Sequence, residues 1–188
     1  MNTKILEFFN TKYPFNQDGL QEFARSFKLK TYPKGHLLVH QEMVTDRLLF
    51  LEQGTVREFY AKDGKEMNTR FYVQPQFIND FFSLTRQTPT QKCLETLRQA
   101  QVRELRYDQF SELLKKYTCG HDFISKIFES IIEKKEQESF RHFSLTPDEL
   151  YLDLLEHHPE WLQEIPLYHI ATYLRMTPET LSRIRKRT

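Results

Sequence analysis

Glycine is scarce in this chain of 188 residues, with five at Gly19, Gly35, Gly54, Gly64 and Gly120. No G-x-G-x-x-G run or Walker-type loop can be assembled from them, which excludes the usual glycine-rich phosphate cradles. Cysteine is scarcer: Cys93 and Cys119 stand far apart, outside any C-x-x-C pair. Two such residues support neither a disulfide framework nor a four-cysteine iron–sulfur site, and they read as reduced thiols of a cytoplasmic protein. No apolar stretch approaches the ~20 residues of a membrane helix. The opening MNTKILEFFNTKYPF has no long apolar region and no small-residue cleavage site. It does not read as a secretion signal, and no membrane partner is expected.

Aromatic residues are plentiful. They make up 14% of the chain, 16 of them Phe, so the core should be built on rings. Hydrophobic residues at 39% and charged ones at 28% give a soluble globular balance, enough for one large domain or two small ones.

The net charge of +1 conceals a segregation. From residue 175 on, Arg175, Arg183, Arg185, Lys186 and Arg187 face only Glu179, a local net of +4. Residues 147–164 carry Asp148, Glu149, Asp153, Glu156, Glu160 and Glu164 with no Lys or Arg, a local −6. A basic end after an acidic helical stretch points to a phosphate-bearing partner.

The hydrophobic period changes twice. Residues 1–30 read as helical, with Leu20, Phe23, Ala24 and Phe27 at three- and four-residue steps. Short strand candidates follow at 36–40, 47–51, 55–61, 67–73, 93–97 and 102–107. Turns separate them at Tyr32–Gly35, Glu52–Gly54 and Lys62–Lys65. Such spacing predicts a small antiparallel barrel or roll. Helical spacing then returns. Phe123, Ile124, Ile127, Phe128 and Ile131 lay a broad apolar stripe on a long helix after Gly120. That stripe can bury against the β-domain or against the same helix of a second copy; the two-fold dimer is the expected solution.

Residues 165–185 read IPLYHIATYLRMTPETLSRIR. Ile170 and Leu174 lie one turn apart on a first helix, and Leu181 with Ile184 on a second. Ala171 is small where crossing helices approach. Thr177-Pro178-Glu179 is a compact helix start, with a capping hydroxyl, a preset φ and an acid beside the positive helix end. This is a helix-turn-helix pattern whose second helix exposes Glu179, Thr180, Ser182, Arg183 and Lys186. The chemistry suits double-stranded DNA. Arg183 can bond guanine in pairs and Glu179 can accept from cytosine. Thr177 at the helix start, with Thr180 and Ser182, can hold phosphates, and Lys186 adds salt-dependent affinity.

These residues resemble the Crp–Fnr family of bacterial transcription regulators, over about residues 20–187. TPETLSRIR is similar to the recognition helix of short members from Bacteroidetes-type bacteria. Leu51-Glu52-Gln53-Gly54-Thr55-Val56 resembles the family's x-x-x-G-x-V strand, and Asp63-Gly64-Lys65-Glu66 its hairpin. The resemblance implies an α+β fold. An N-terminal cyclic-nucleotide-binding-type β-roll (a double-stranded β-helix) with flanking helices would occupy 1–117, a dimerisation helix 118–143, and a helix-turn-helix 144–188. Glu179 and Arg183 would fall on base-reading positions and Thr180 on a backbone contact. A homodimer on DNA, a small-molecule effector and RNA polymerase are the partners such a regulator implies.

The chain departs from the family at the pocket. Where cyclic-nucleotide binders place Gly-Glu and Arg-Ser, this sequence has Asn79-Asp80 within Phe77–Leu84, and Thr90-Gln91. A phosphodiester without its cation would be poorly compensated. Phe77, Phe81 and Phe82 make the site apolar or occluded. Cyclic AMP is therefore not expected in the usual manner, and the effector is unassigned. Arg175 stands at a turn usually held by Gly, where a left-handed conformation costs an Arg about 1 kcal/mol, and its side chain is within reach of a phosphate. With Thr188 following the recognition helix directly, no β-wing is expected, and DNA contacts should be fewer.

Two rival classes remain. His36 and His40 at strand spacing would suit a metal enzyme, but no third His and carboxylate accompany them. No metal, cofactor or catalytic group is expected. The other rival is a ligand-sensing or protein-interaction module that has lost DNA binding.

Overall fold

The structure is a computed structural model and describes residues 3–12, 17–117 and 120–187; the side chains of residues 3, 9–12, 17–18 and 120–123 are not described. Cys119 and the Phe123 side chain lie outside these limits.

Two glycines set the strands that follow them. Asp63 and Gly64 at the tip of the first hairpin have φ of 51° and 73°, and positive φ at both turn residues matches the twist of paired strands. Gly54 has φ 112°, and a Cβ there would sit 2.7 Å from the Ala100 backbone, so β3 can enter β4 only through a residue without a side chain. The strands are β1 (Lys28–Tyr32), β2 (Leu37–Val39), β3 (Arg47–Gln53), β4 (Val56–Lys62), β5 (Lys65–Tyr72), β6 (Gln76–Phe77), β7 (Cys93–Thr96) and β8 (Ala100–Arg106). They form two antiparallel four-stranded sheets, ordered β1-β8-β3-β6 and β2-β7-β4-β5. Between the sheets lie Val39, Leu49, Leu51, Val56, Ile78, Leu94 and Val102.

The six strand candidates are all present. β6 and the short helix α3 (Phe81–Arg86) have no counterpart in the sequence reading, and residues 28–30, expected to be helical, instead open β1. β1 is KLKTY with four exposed residues, so no apolar alternation marks it; pairing with β8 makes it a strand.

Helices α1 (Thr3–Lys12), α2 (Gln17–Ser26) and α4 (Tyr107–Lys116) cover the outer face of the first sheet. The core there is aromatic. Phe8, Phe50 and Phe77 meet edge to face with centroids 5.3–5.6 Å apart, and Phe23, Phe27, Phe81 and Phe110 extend the cluster.

The long helix α5 (Gly120–Ser144) follows. Ile127 is buried in this same cluster, and Ile124, Phe128 and Ile131 pack partly against it. The stripe chosen as a dimer face therefore finds much of its cover within its own chain, because the roll and α1 offer a nearby apolar surface. The exposed apolar residues of α5 are Ile132, Phe140 and Phe143, the last 89% exposed.

The remaining helices are α6 (Pro147–His157), the short α7 (Trp161–Glu164), α8 (Leu167–Tyr173) and α9 (Pro178–Arg185). Their core includes two residues of the roll, Phe71 and Leu97. Phe71 of β5 meets Trp161 at 5.0 Å and Tyr173 at 5.8 Å, so the helical unit is seated on the roll.

Candidate nucleic-acid interface and effector cavity

Local sequence builds α6, α8 and α9 as expected, whereas the short α7 has no counterpart in the sequence pattern. Thr146 and Glu149 form a reciprocal capping box, with Pro147 in the first turn of α6. Thr177 caps α9 by accepting from the Thr180 N–H at 3.2 Å. Ile170, Ala171, Leu174, Leu181 and Ile184 are all buried, as their spacing required. Arg175 is left-handed with φ 57°, in a turn closed by the Met176 N–H donating to the Ala171 carbonyl at 2.9 Å.

Glu179, Ser182, Arg183 and Lys186 are exposed at successive three- and four-residue steps along α9. They share the face opposite Leu181 and Ile184. Thr180 is half-buried at the edge, and the Thr177 hydroxyl is committed to its cap. The backbone N–H of Glu179 and the Thr177 hydroxyl hold the Glu179 carboxyl below its usual range. Arg187 pairs with Asp148 at 2.7 Å, so part of the basic end is diverted to α6.

The segment aligned with a nucleotide pocket is spent on structure. Asn79 is buried; its Oδ1 accepts from the Leu49 N–H at 2.7 Å and its Nδ2 donates to the Arg47 carbonyl at 2.8 Å. Asp80 caps α3 by accepting from the Phe82 N–H, and accepts the Thr90 hydroxyl at 2.6 Å. Two of the expected pocket residues thus bond each other. The Gln91 side chain is exposed, and its carbonyl accepts from Gln41. Phe82 packs on Phe128 of α5.

A cavity of about 360 Å³ nevertheless opens between the roll, α5 and the α8–α9 turn. Phe77, Asn79, Asp80, Phe81 and Phe82 line it, whereas Thr90 and Gln91 do not. The sequence reading missed Glu58, Arg70 and Tyr72 in its wall, and Glu138, Tyr173 and Arg175 on the side formed by α5 and the α8–α9 turn. Glu58 and Arg70 are direct cross-strand partners next to a bulge between Glu58 and Phe59. Glu58 accepts from the Thr69 hydroxyl at 2.7 Å and the Tyr72 hydroxyl at 3.1 Å, and pairs with Lys92 at 3.2 Å. Burial pushes the Tyr72 phenol well up, and Glu58 adds to this. Burial also raises the Glu138 carboxyl, with Arg70 and the Tyr173 hydroxyl opposing. Burial acts to lower the Arg70 value, but Tyr72, Glu58 and Glu138 outweigh it and leave it raised.

A second polar junction lies on the outer face of β4 and β5. Arg57 is buried, pairs with Glu66 and Glu95 at 2.6 Å each, and stacks 3.8 Å from the Phe59 ring centroid. His169 of α8 accepts on Nδ1 from Arg57 at 3.3 Å and from Asn68 at 3.2 Å. Asn68 also donates to Thr172 at 2.6 Å.

His36 stacks on Tyr32, and His40 contacts the Gln41 carbonyl, so the two do not converge. No group of three potential metal-ligating residues occurs among the described residues. No helix among them is long and apolar enough to cross a membrane.

Residues 29–117 match the cyclic nucleotide-binding domain. Solved structures extend the likeness to the helical unit. The c-di-GMP responsive global regulator CLP of Xanthomonas campestris shares 15% identity at a TM-score of 0.71, over 92% of this chain and 91% of that one. FixK2 of Bradyrhizobium japonicum shares 15% at 0.74, over 86% and 83%. The catabolite activator protein of Thermus thermophilus shares 15% at 0.55, over 92% and 83%. These neighbours are Crp–Fnr-type regulators rather than enzymes, and the likeness at this identity is one of fold. No curated protein matches the sequence.

Proposed function

We propose that this protein is a bacterial transcription regulator that binds double-stranded DNA as a homodimer through α9. The reading rests chiefly on the face of α9. Glu179, Ser182, Arg183 and Lys186 are exposed together, while Leu181 and Ile184 anchor the helix from behind. Arg183 reads a guanine edge, Glu179 accepts from a cytosine amino group, and Lys186 meets phosphate. Ile132, Phe140 and Phe143 of α5 supply the face for the second copy. Regulator neighbours with a similar fold support the same reading.

The roll is the sensor, but it does not take cyclic AMP in the usual manner. Asn79 brackets β3, and Asp80 and Thr90 satisfy each other where a sugar and cyclic phosphate would need donors and a cation. RNA polymerase is the expected downstream partner.

A mobility-shift assay with genomic promoter fragments at low and moderate salt, run beside sedimentation analysis, tests the proposal. A dimer whose DNA affinity falls steeply as salt rises is expected. A monomer, or a dimer indifferent to DNA at low salt, would leave a sensing module without DNA function.

A further inference from the structure

Arg70 on β5 and Arg175 in the α8–α9 turn line the same cavity from two different units. Among the described residues, neither has a carboxylate within 4.0 Å. The carboxylates that share the cavity are occupied. Glu58 holds Thr69, Tyr72 and Lys92; Asp80 holds Thr90 and the start of α3; Glu138 takes the Tyr173 hydroxyl. Neither guanidinium is therefore in direct ion-pair contact; Arg70 meets the Tyr72 hydroxyl, and the Glu138 carboxylate acts on both arginines at longer range.

Arg175 adds an independent observation. Its φ of 57° is one that glycine adopts without strain, and a glycine would relax the turn. The strained conformation instead places Arg175, an exposed residue, at the cavity wall. The rest of the lining includes Phe81, Phe82, Ile127 and Ile131, which suit an apolar body. A volume of about 360 Å³ falls within the range of small-molecule sites.

We propose that the cavity binds a small amphipathic anion, an aromatic carboxylate or aromatic phosphate ester, whose charged head is shared by Arg70 of the roll and Arg175 of the helix-turn-helix. Both forks offer paired N–H donors to such a head. The anion would sit at β5 and the turn, away from the α3 segment where Asn79 and Asp80 are already bonded. The consequence for DNA rests on the regulator reading: a ligand held by Arg175 is held by the turn that sets the pitch of α9.

The test uses the full chain without DNA. Phenylacetate, phenyl phosphate, cyclic AMP and the neutral 2-phenylethanol are titrated by calorimetry, with thermal unfolding alongside. Phenylacetate or phenyl phosphate should bind and raise Tm, and which of them does so identifies the head group. The neutral alcohol should not. Arg70→Met and Arg175→Gly should each weaken that binding by at least about tenfold. Arg175→Gly should be no less stable than the wild type, so its loss of binding cannot be unfolding. Failure of both anions to bind, equal binding of the alcohol, or anion or cyclic AMP binding that survives both substitutions would overturn the proposal. A parallel mobility shift of ligand-free protein keeps the readings apart: anion binding without DNA binding would sink the regulator and leave the site standing.

Discussion

Nη1 of Arg57 and Nδ1 of His169 lie 3.3 Å apart across the seam between the roll and α8. Asn68 approaches the same nitrogen at 3.2 Å, so Nδ1 must be the acceptor and the ring proton sits on Nε2. A second ring proton would face two donors.

That geometry sets a pH dependence. Burial and then Arg57 lower the His169 value from 6.5 to about 4, with Glu66 opposing. The folded value lies below the unfolded one, so the unfolded chain binds the proton first. Stability is full above pH 6.5 and is lost as pH falls toward 4, by up to roughly 3 kcal/mol. His142 and His158 are lowered too and act in the same direction. Urea unfolding between pH 7 and pH 5 should show the loss, and His169→Gln should flatten part of the slope. An unchanged slope would mean the ring is not buried as a neutral acceptor.

On α9, Arg183→Ala should cost about 1–3 kcal/mol on the preferred site and relax the choice at one base pair. Lys186→Ala should weaken all sequences alike and reduce the salt slope by about 1. Competition titrations with single-base variants distinguish the two. Matching or negligible effects would argue against α9 lying in the major groove.

The two faces of α5 should separate by substitution. Phe140→Ser with Phe143→Ser should convert the dimer to a monomer in sedimentation while leaving Tm nearly unchanged, since both rings are exposed. Ile127→Ala should instead destabilise the monomer fold by about 2–5 kcal/mol, because it opens a cavity in the aromatic core. A dimer that survives the double Ser variant would place the interface elsewhere.

Asn79→Ala should lower stability by about 1–3 kcal/mol, because the Leu49 N–H would be left buried without its acceptor. Chemical denaturation measures this directly. Full stability in the variant would show that Asn79 is free for a ligand rather than bracketing β3.

Much of the α8–α9 pair was legible in the sequence because its information is local. Thr177 caps, Pro178 starts, and the spacing of Leu181 and Ile184 fixes which face of α9 is buried; one helical period then exposes Glu179, Ser182, Arg183 and Lys186. The roll was legible for the same reason wherever apolar alternation and positive-φ glycines coincide, as at Gly54 and Gly64. β1 was not, since KLKTY has no buried face of its own.

By itself the sequence determined six of the eight strands and the exposed basic face, because each depends on residues within a turn or two of one another. Tertiary structure decided the rest. It buried Ile127 of α5 against the roll, committed Asp80 to Thr90, and brought Arg70 and Arg175 to one cavity from positions 105 residues apart in the numbering. Such meetings depend on how sheets close and helices dock, and no local period encodes which distant side chains will then share a wall.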